Sequence, residues 1–211
     1  MGLRQRFVAG LARQLGHPSG LRGRLLVRAL NRGNRELVRA VVRASGVGTG
    51  QTAADVGFGG GVGLVALLDA TAPDGSVHGV DISTTMVARA RRAFAAECRS
   101  GRLQLFQGSM LDLPVADDSL DTAITVNTVY FLDEVEPAFR EFARVLRPGG
   151  RLVVGIGDPD EMGHMPVTAH GFRLRPVPVL LEAMSGAGLL DVRAEEIKVG
   201  PHTGHLLIGQ I

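Results

Sequence analysis

The chain has 211 residues, of which 45% are hydrophobic, 21% are charged and 4% are aromatic, with one cysteine and no tryptophan. This hydrophobic fraction excludes an intrinsically disordered chain, and the length suffices for one domain with a sizeable core. A single cysteine excludes an intramolecular disulfide and a multi-cysteine metal site, and no metal centre is expected. The first residues lack the apolar run of a secretory signal, and no segment reaches the ~18 apolar residues of a membrane span. A cytoplasmic protein is therefore expected.

Positive charge is concentrated near the N-terminus. Residues 1–45 contain ten arginines and one acid, Glu36, for a net charge of +9, whereas the remaining residues carry a net charge of −7. Hydrophobic spacing over residues 3–16 and 21–45 predicts two or three helices, with Asn34 as a helix cap. We expect residues 1–45 to form a basic helical cover on a domain of residues 46–211. The arginine-rich faces are typical of solvated helices, and a surface for an anionic partner is the alternative.

From Gln51 onward, short apolar runs alternate with helical segments. The predicted strands are residues 52–57, 76–81, 102–107, 120–126, 151–156, 190–198 and 204–210, and the predicted helices are residues 61–70, 84–99, 134–146 and 176–188. This alternation predicts an α/β fold with a mainly parallel sheet. The first of these strands is expected to be central, so a ligand would bind at its carboxyl end.

A glycine-rich segment follows the first strand, Asp55-Val56-Gly57-Phe58-Gly59-Gly60-Gly61-Val62-Gly63. Its glycines allow a tight turn and a close approach to a ligand, and the following helix directs its positive end toward that ligand. The spacing is D-x-G-x-G-x-G and differs from the G-x-G-x-x-G of dinucleotide-binding proteins. Asp81 ends the second strand, 20 residues after Gly61. An acid there can accept both hydroxyls of an adenosine ribose, and helix capping is its alternative role.

On these motifs the chain resembles the class I S-adenosylmethionine (SAM)-dependent methyltransferases, and more narrowly the small-molecule branch related to ubiquinone and menaquinone biosynthesis methyltransferases. The resemblance spans about residues 34–156, and its further matching segments are residues 79–83, 107–114, 117–121 and 141–152. It implies a doubly wound, Rossmann-like sheet of seven mainly parallel strands with the last strand antiparallel. It also implies an enzyme that transfers a methyl group from SAM to a small-molecule acceptor by in-line displacement, with the methylated atom (O, N or C) unresolved.

The resemblance implies cofactor contacts for a set of residues, which are Asp55, Gly57, Phe58, Gly59, Gly61, Asp81, Ile82, Met86, Ser109, Met110, Asn127 and Asn34. Asp55 and the glycines would face the methionine end, and Asp81 would hold the ribose. Ile82 and Met86 would lie against one side of the adenine and Met110 against the other. Ser109 replaces the aspartate that is usual in the family, and its hydroxyl can still hydrogen-bond the adenine amino group. Asn127 would face the sulfonium or the amino-acid end, and Asn34 could reach the carboxylate.

Candidate catalytic residues follow the fourth and fifth strands. Tyr130, three residues after Asn127, is expected to line the acceptor pocket. His164 and His170 lie in the segment after the fifth strand, and a histidine there could take a proton near neutral pH. Solvated loop positions are the alternative for both histidines. His202 and His205 flank the last strand and are interpreted as structural.

Other functions are excluded or left open by the sequence. Lys198 is the only lysine and is remote from the glycine-rich segment, which excludes a Walker A site. The absence of a Tyr-x-x-x-Lys pair argues against a nicotinamide-dependent oxidoreductase. A nucleic-acid or protein methyltransferase that uses the arginine-rich helices, and a non-catalytic SAM-binding subunit, stay open. Nucleic acid is not the expected partner, because residues 127–130 lack the prolines of amino-base methylation and aromatics for base stacking are scarce. A homodimer is left open.

Overall fold

The structure, a computed structural model, describes residues 35–166, 168 and 171–211. Within this part of the chain seven strands form one sheet: β1 (Thr52–Val56), β2 (Ser76–Asp81), β3 (Leu103–Gln107), β4 (Leu120–Val126), β5 (Leu146–Gly157), β6 (Leu190–Val199) and β7 (His202–Gln210). The helices are α1 (35–45), α2 (Val62–Ala70), α3 (Thr84–Ala93), α4 (Ala95–Arg99), α5 (Glu136–Val145), α6 (Pro159–Gly163) and α7 (Val177–Gly186), with a 3₁₀ turn at Val129–Phe131. The predicted helices before residue 35 lie outside the described residues.

The strand order is β3-β2-β1-β4-β5-β7-β6. Strands β1 to β5 pair in parallel, and β7 runs antiparallel to both β5 and β6. This arrangement confirms the predicted fold class, including the antiparallel last strand. The chain leaves β1 toward β2 on one side and returns to β4 on the other. The carboxyl ends of β1 and β4 therefore border the crevice in which doubly wound sheets bind ligands.

Helices cover both faces of the sheet. The core on one face contains residues of α1, α2 and α3, and the core on the other contains residues of α5 and α7. Helix α1 lies very close to β5, because a Cβ atom at Gly155 would be 2.5 Å from Cγ2 of Val41. Among the described residues, no helix has the length and apolar character that crossing a bilayer requires.

Three elements differ from the sequence prediction, and the first is β5, which begins at Leu146 and not at residue 151. The single helix predicted over residues 84–99 is broken at Phe94, whose φ of −111° and ψ of 35° are not helical. The Phe94 ring lies against the glycine-rich segment, since a Cβ at Gly61 would be 3.1 Å from Cε2. The segment after β5, predicted as a loop, begins with the short helix α6. Asp158 caps α6 by accepting hydrogen bonds from the backbone N–H of Asp160 and Glu161.

Candidate functional site

The glycine-rich segment follows β1 and contacts residues at the carboxyl ends of β2 and β4. Gly57 and Gly61 have φ values of 76° and 81°, a backbone region that favours glycine. The Gly57 N–H donates to the carbonyl oxygen of Val80 in β2 at 2.7 Å. A Cβ at Gly57 would lie 2.4 Å from Cγ2 of Thr128, just after β4. The segment therefore turns in a space that a larger residue at position 57 could not enter without moving its neighbours.

Asp81 connects this segment to the start of α3. Its carboxylate is 7% exposed and accepts the N–H of Gly59 at Oδ2 and the N–H of Ser83 at Oδ1, each at 2.8 Å. Because each carboxylate oxygen can accept more than one hydrogen bond, this arrangement is compatible with both predicted roles, ribose binding and organisation of the helix start. Ser83 caps α3 through the N–H of Met86.

Asp55 is a buried acid at the end of β1, with only 4% of the residue exposed. Burial and the nearby charge of Asp81 raise the pKa of Asp55 to about 7. A hydrogen bond from the backbone of Leu64 has the opposite effect, because it favours the charged form. The carboxylate lies against the start of α2, since a Cβ at Gly63 would be 2.2 Å from Oδ2. A cation placed beside Asp55 would lower this pKa and stabilise the carboxylate.

Asn127 and Tyr130 form a hydrogen-bonded group after β4. Asn127 has a φ of 55°, and its Oδ1 accepts from the Tyr130 hydroxyl at 3.1 Å and from the Gly157 N–H at 3.3 Å. The Tyr130 oxygen also accepts the Gly157 N–H at 2.7 Å. Tyr130 is 2% exposed, and burial raises its pKa well above the usual range; the Gly157 N–H opposes this shift and Asp158 adds to it. The phenol therefore stays protonated at neutral pH, which fits positioning of Asn127 better than proton abstraction.

Five further predicted cofactor contacts fall into two groups. Ile82 is 51% exposed beside the end of β2, and Ser109 and Met110 follow β3. The Ser109 hydroxyl accepts the N–H of Leu111 at 3.1 Å. In contrast, the side chains of Phe58 and Met86 are buried in the core beneath the glycine-rich segment. Their burial does not favour side-chain contact with a ligand in the crevice.

The loop between β3 and β4 is held by Arg144 of α5, a residue to which the sequence analysis gave no role. Its guanidinium donates to the carbonyl oxygens of Leu113 and Val115, each at 3.0 Å. It also pairs with Asp117 and with Glu141, and Glu141 accepts the N–H of Leu113 at 2.8 Å. Residues 141–152 match a motif of the family, and this match drew attention to the helix that carries Arg144. The motif does not indicate that Arg144 contacts the loop between β3 and β4.

The segment after β5 folds back beside Tyr130. The Arg173 N–H donates to the Tyr130 carbonyl oxygen at 2.8 Å, and the Phe172 ring lies 5.8 Å from the Tyr130 ring and 4.9 Å from the Phe131 ring. His164 is exposed at the end of α6, with Nδ1 2.8 Å from the Asp160 carbonyl oxygen. Asn34 and His170 lie outside the described residues, and the catalytic roles of His164 and His170 stay predictions.

A histidine–aspartate pair also lies at this end of the sheet. Nε2 of His205, in β7, is 2.8 Å from Oδ2 of Asp158, the residue that follows β5. The His205 side chain is 13% exposed. From the sequence alone, His205 is interpreted as structural, and nothing in the sequence connects it with Asp158.

Comparisons with known proteins find similarity to methyltransferases. A family model described as "Methyltransferase domain" matches residues 54–154. An O-methyltransferase of Pyrenophora dematioidea is 32% identical over 141 residues, which are 64% of this chain and 50% of that protein. A demethylmenaquinone methyltransferase of Symbiobacterium thermophilum is 38% identical over 95 residues, which are 44% of this chain and 38% of that protein. The chain thus spans half or less of the length of these curated relatives.

A solved structure supports the fold. A SAM-dependent methyltransferase from Aquifex aeolicus superposes with a TM-score of 0.71 at 20% identity, covering 88% of this chain and 97% of that one. At this level of identity the similarity concerns the fold alone.

Proposed function

We propose that this chain methylates a small organic acceptor with SAM as the methyl donor, which is supported by the match of residues 54–154 to a methyltransferase-domain model and by the fold. When bound, SAM supplies a methyl group that is already activated by its sulfonium. The protein must therefore mainly bind the donor, align a nucleophile with the methyl carbon and exclude water, and alignment alone can contribute roughly 7–11 kcal/mol.

The residues at the ends of β1 and β2 suit this donor. Asp81 offers two carboxylate oxygens beside the glycine-rich segment, which supports ribose binding. Asp55 is a buried acid whose charged form a neighbouring cation would stabilise. The amino-acid end of SAM carries such a cation, an ammonium group. Asn127 has its backbone fixed by an N–H bond to the Gly155 carbonyl oxygen at 2.9 Å, and its side chain by Tyr130. We assign Asn127 to the side of the donor that faces the acceptor.

The observation that carries the small-acceptor proposal is the aromatic group beside Asn127. The Phe172 ring contacts both Tyr130 and Phe131, and Met162 packs against the end of β5, where a Cβ at Gly157 would be 2.9 Å from its sulfur. A mostly apolar surface with few polar groups is typical of sites for small organic ligands. The relatives named above, an O-methyltransferase and a demethylmenaquinone methyltransferase, agree with such an acceptor.

The proposal is tested by incubating the protein with methyl-labelled SAM and an extract of the source organism, which is then separated into small molecules, RNA and protein. We expect label in the small-molecule fraction. Asp81→Ala, which loses both backbone contacts of the carboxylate, should abolish binding of S-adenosylhomocysteine (SAH) in calorimetry and should transfer no label. Label in RNA or protein would contradict the proposal. Binding of SAH without transfer to any fraction would instead favour a non-catalytic SAM-binding subunit.

A further inference from the structure

We propose that His205, oriented by Asp158, removes the proton from a hydroxyl group of the acceptor, so that the reaction is an O-methylation that forms an ether. This inference rests on the proposed small-molecule methyl transfer and adds the acceptor class and the proton-accepting atom. It is carried by the pairing of His205 and Asp158 at the end of the sheet that holds Asn127.

Both oxygens of the Asp158 carboxylate are committed. Oδ1 accepts the N–H of Asp160 at 3.1 Å and the N–H of Glu161 at 2.9 Å, and Oδ2 faces Nε2 of His205 at 2.8 Å. The hydrogen bonds from His205 and Glu161 lower the pKa of Asp158, so it is ionised at neutral pH. An ionised carboxylate only accepts hydrogen bonds, so Nε2 must carry the hydrogen. In the neutral ring, Nδ1 then holds the lone pair, and none of the described residues is hydrogen-bonded to Nδ1.

The position of this pair suits an acceptor located next to Asn127. Val126 of β4 pairs with Gly155 of β5, and Ile156 of β5 pairs with His205 of β7. The backbones of β4 and β7 are therefore two strand spacings apart, roughly 10 Å. Strand β5 lies between them, so an acceptor bound over the end of β5 would have Asn127 on one side and the imidazole on the other. The connection from Asn127 through Gly157 to Asp158 also links the two sides, because Gly157 hydrogen-bonds Asn127 and precedes Asp158.

In the proposed step, the acceptor hydroxyl loses its proton and gains the methyl group. The hydroxyl proton passes to Nδ1 of His205, and the hydroxyl oxygen forms a bond to the methyl carbon. The carbon–sulfur bond breaks, and its electron pair stays on sulfur, which leaves SAH. The positive charge on the imidazolium is stabilised by the Asp158 carboxylate, and the proton passes to water before the next turnover.

A purely structural pair would tie β7 to the segment after β5 in the same geometry, so the variants must separate the two roles. His205→Gln places an amide N–H near the position of Nε2, which keeps a donor for Asp158 but removes the basic nitrogen. The neighbouring pair His202 and Glu161, with Nδ1 3.2 Å from Oε2, provides the matched control His202→Gln.

The first experiment measures initial rates of label transfer into the small-molecule fraction, the thermal stability and the SAH affinity of each protein. We expect His205→Gln to lower the rate at saturating acceptor by about 100-fold or more, with stability and SAH affinity unchanged, and His202→Gln to stay near wild type. A His205→Gln rate within a few-fold of wild type would overturn the inference while leaving the proposed function intact.

The labelled product gives an independent test of the acceptor class. An ether keeps its label in mild alkali. Release of labelled methanol would identify an ester, and a carboxylate acceptor has no proton to lose, so that outcome overturns the inference. An N-methyl or C-methyl product overturns it as well. Label only in RNA or protein contradicts the proposed function, and the inference with it.

A measurement without turnover tests the orientation of the ring. Two-bond ¹H–¹⁵N spectra of histidine-labelled protein distinguish the two neutral tautomers. We expect His205 of the wild-type protein to carry its hydrogen on Nε2 above neutral pH, and Asp158→Asn to lose this preference. Glu196, opposite His205 in β6, and Lys198, 4.0 Å from Glu196, are charged groups near the pair, and both stay in place in these variants. A hydrogen on Nδ1 in the wild-type protein would overturn the inference.

Discussion

At the scale of single residues, the proposed contact between Asp55 and the methyl donor makes donor binding depend on pH. The ordinary pKa of this carboxyl is 3.8, and burial together with Asp81 raises it to about 7 in the unliganded protein. Below pH 7 the group is thus mainly protonated, and a ligand cation beside it favours loss of that proton. Binding of a ligand with an ammonium group should therefore release a proton.

We predict that SAH affinity increases between pH 6 and pH 8, by up to about tenfold, as the cost of deprotonating Asp55 disappears. Calorimetry in two buffers of different ionisation enthalpy should detect proton release near pH 6.5. The isosteric variant Asp55→Asn has no proton to release, so its affinity should be lower at pH 8 and nearly independent of pH. A wild-type affinity that is flat across this range would show that Asp55 does not face the ammonium group.

At the scale of elements, the loop between β3 and β4 is held in place by α5. Arg144 reaches two carbonyl oxygens of this loop and two of the acids near it. Ser109 and Met110 directly precede the part of the loop that Arg144 holds. The shape of the predicted adenine side therefore depends on Arg144, although Arg144 does not border the crevice.

We predict that Arg144→Gln weakens SAH binding several-fold and lowers the unfolding temperature by several degrees. Each hydrogen bond to a charged group contributes about 1.5–3 kcal/mol, and a loss of 1 kcal/mol corresponds to about 2–4 °C in a protein of this size. Arg140, exposed on the same helix, provides the matched control, and Arg140→Gln should change neither quantity. Equal SAH affinity in both variants would show that the loop is held independently of Arg144.

The elements also show what the sequence could and could not predict. The glycine-rich segment and Asp81 were predictable, because a strand, a turn and a helix start are encoded by adjacent residues. The break at Phe94 was not, because it depends on the contact of its ring with Gly61, and helical spacing continues across it. The role proposed for His205 was missed for a similar reason. The register that places it next to Asp158 arises from pairing between β5 and β7, which are far apart in sequence.

At the scale of the whole molecule, α1 packs on the half of the sheet that contains β5, β6 and β7. It packs on β5 where Gly155 leaves room for Val41, and Glu36 accepts the N–H of Gly200 at 2.8 Å in the turn between β6 and β7. The carbonyl oxygen of Gly155 also accepts the N–H of Asn127. Displacement of α1 should therefore be transmitted to the site.

We predict that Gly155→Ala destabilises the protein by about 1–3 kcal/mol through overpacking and reduces SAH affinity. Adding Val41→Ala should restore much of the stability, because it removes the methyl groups that the new Cβ meets. Urea unfolding of the two single variants and the double variant measures this coupling. Gly186→Ala, with nothing within 4 Å of the new Cβ, is the control and should not destabilise the protein. Strictly additive effects at positions 41 and 155 would contradict the proposed contact.

Because β7 inserts between β5 and β6, the two sides of the crevice are built from different parts of the chain. The side assigned to the donor is built from β1, β2, β4 and the turns that follow them, all within one continuous stretch of the chain. The side assigned to the acceptor combines the aromatic residues after β4 with the end of β5, the segment after it and β7, a strand that returns between β5 and β6. Changes after residue 157 can therefore remodel which molecule is accepted while the donor side keeps its backbone. Such a sheet lets one half of a site diversify while the other is preserved.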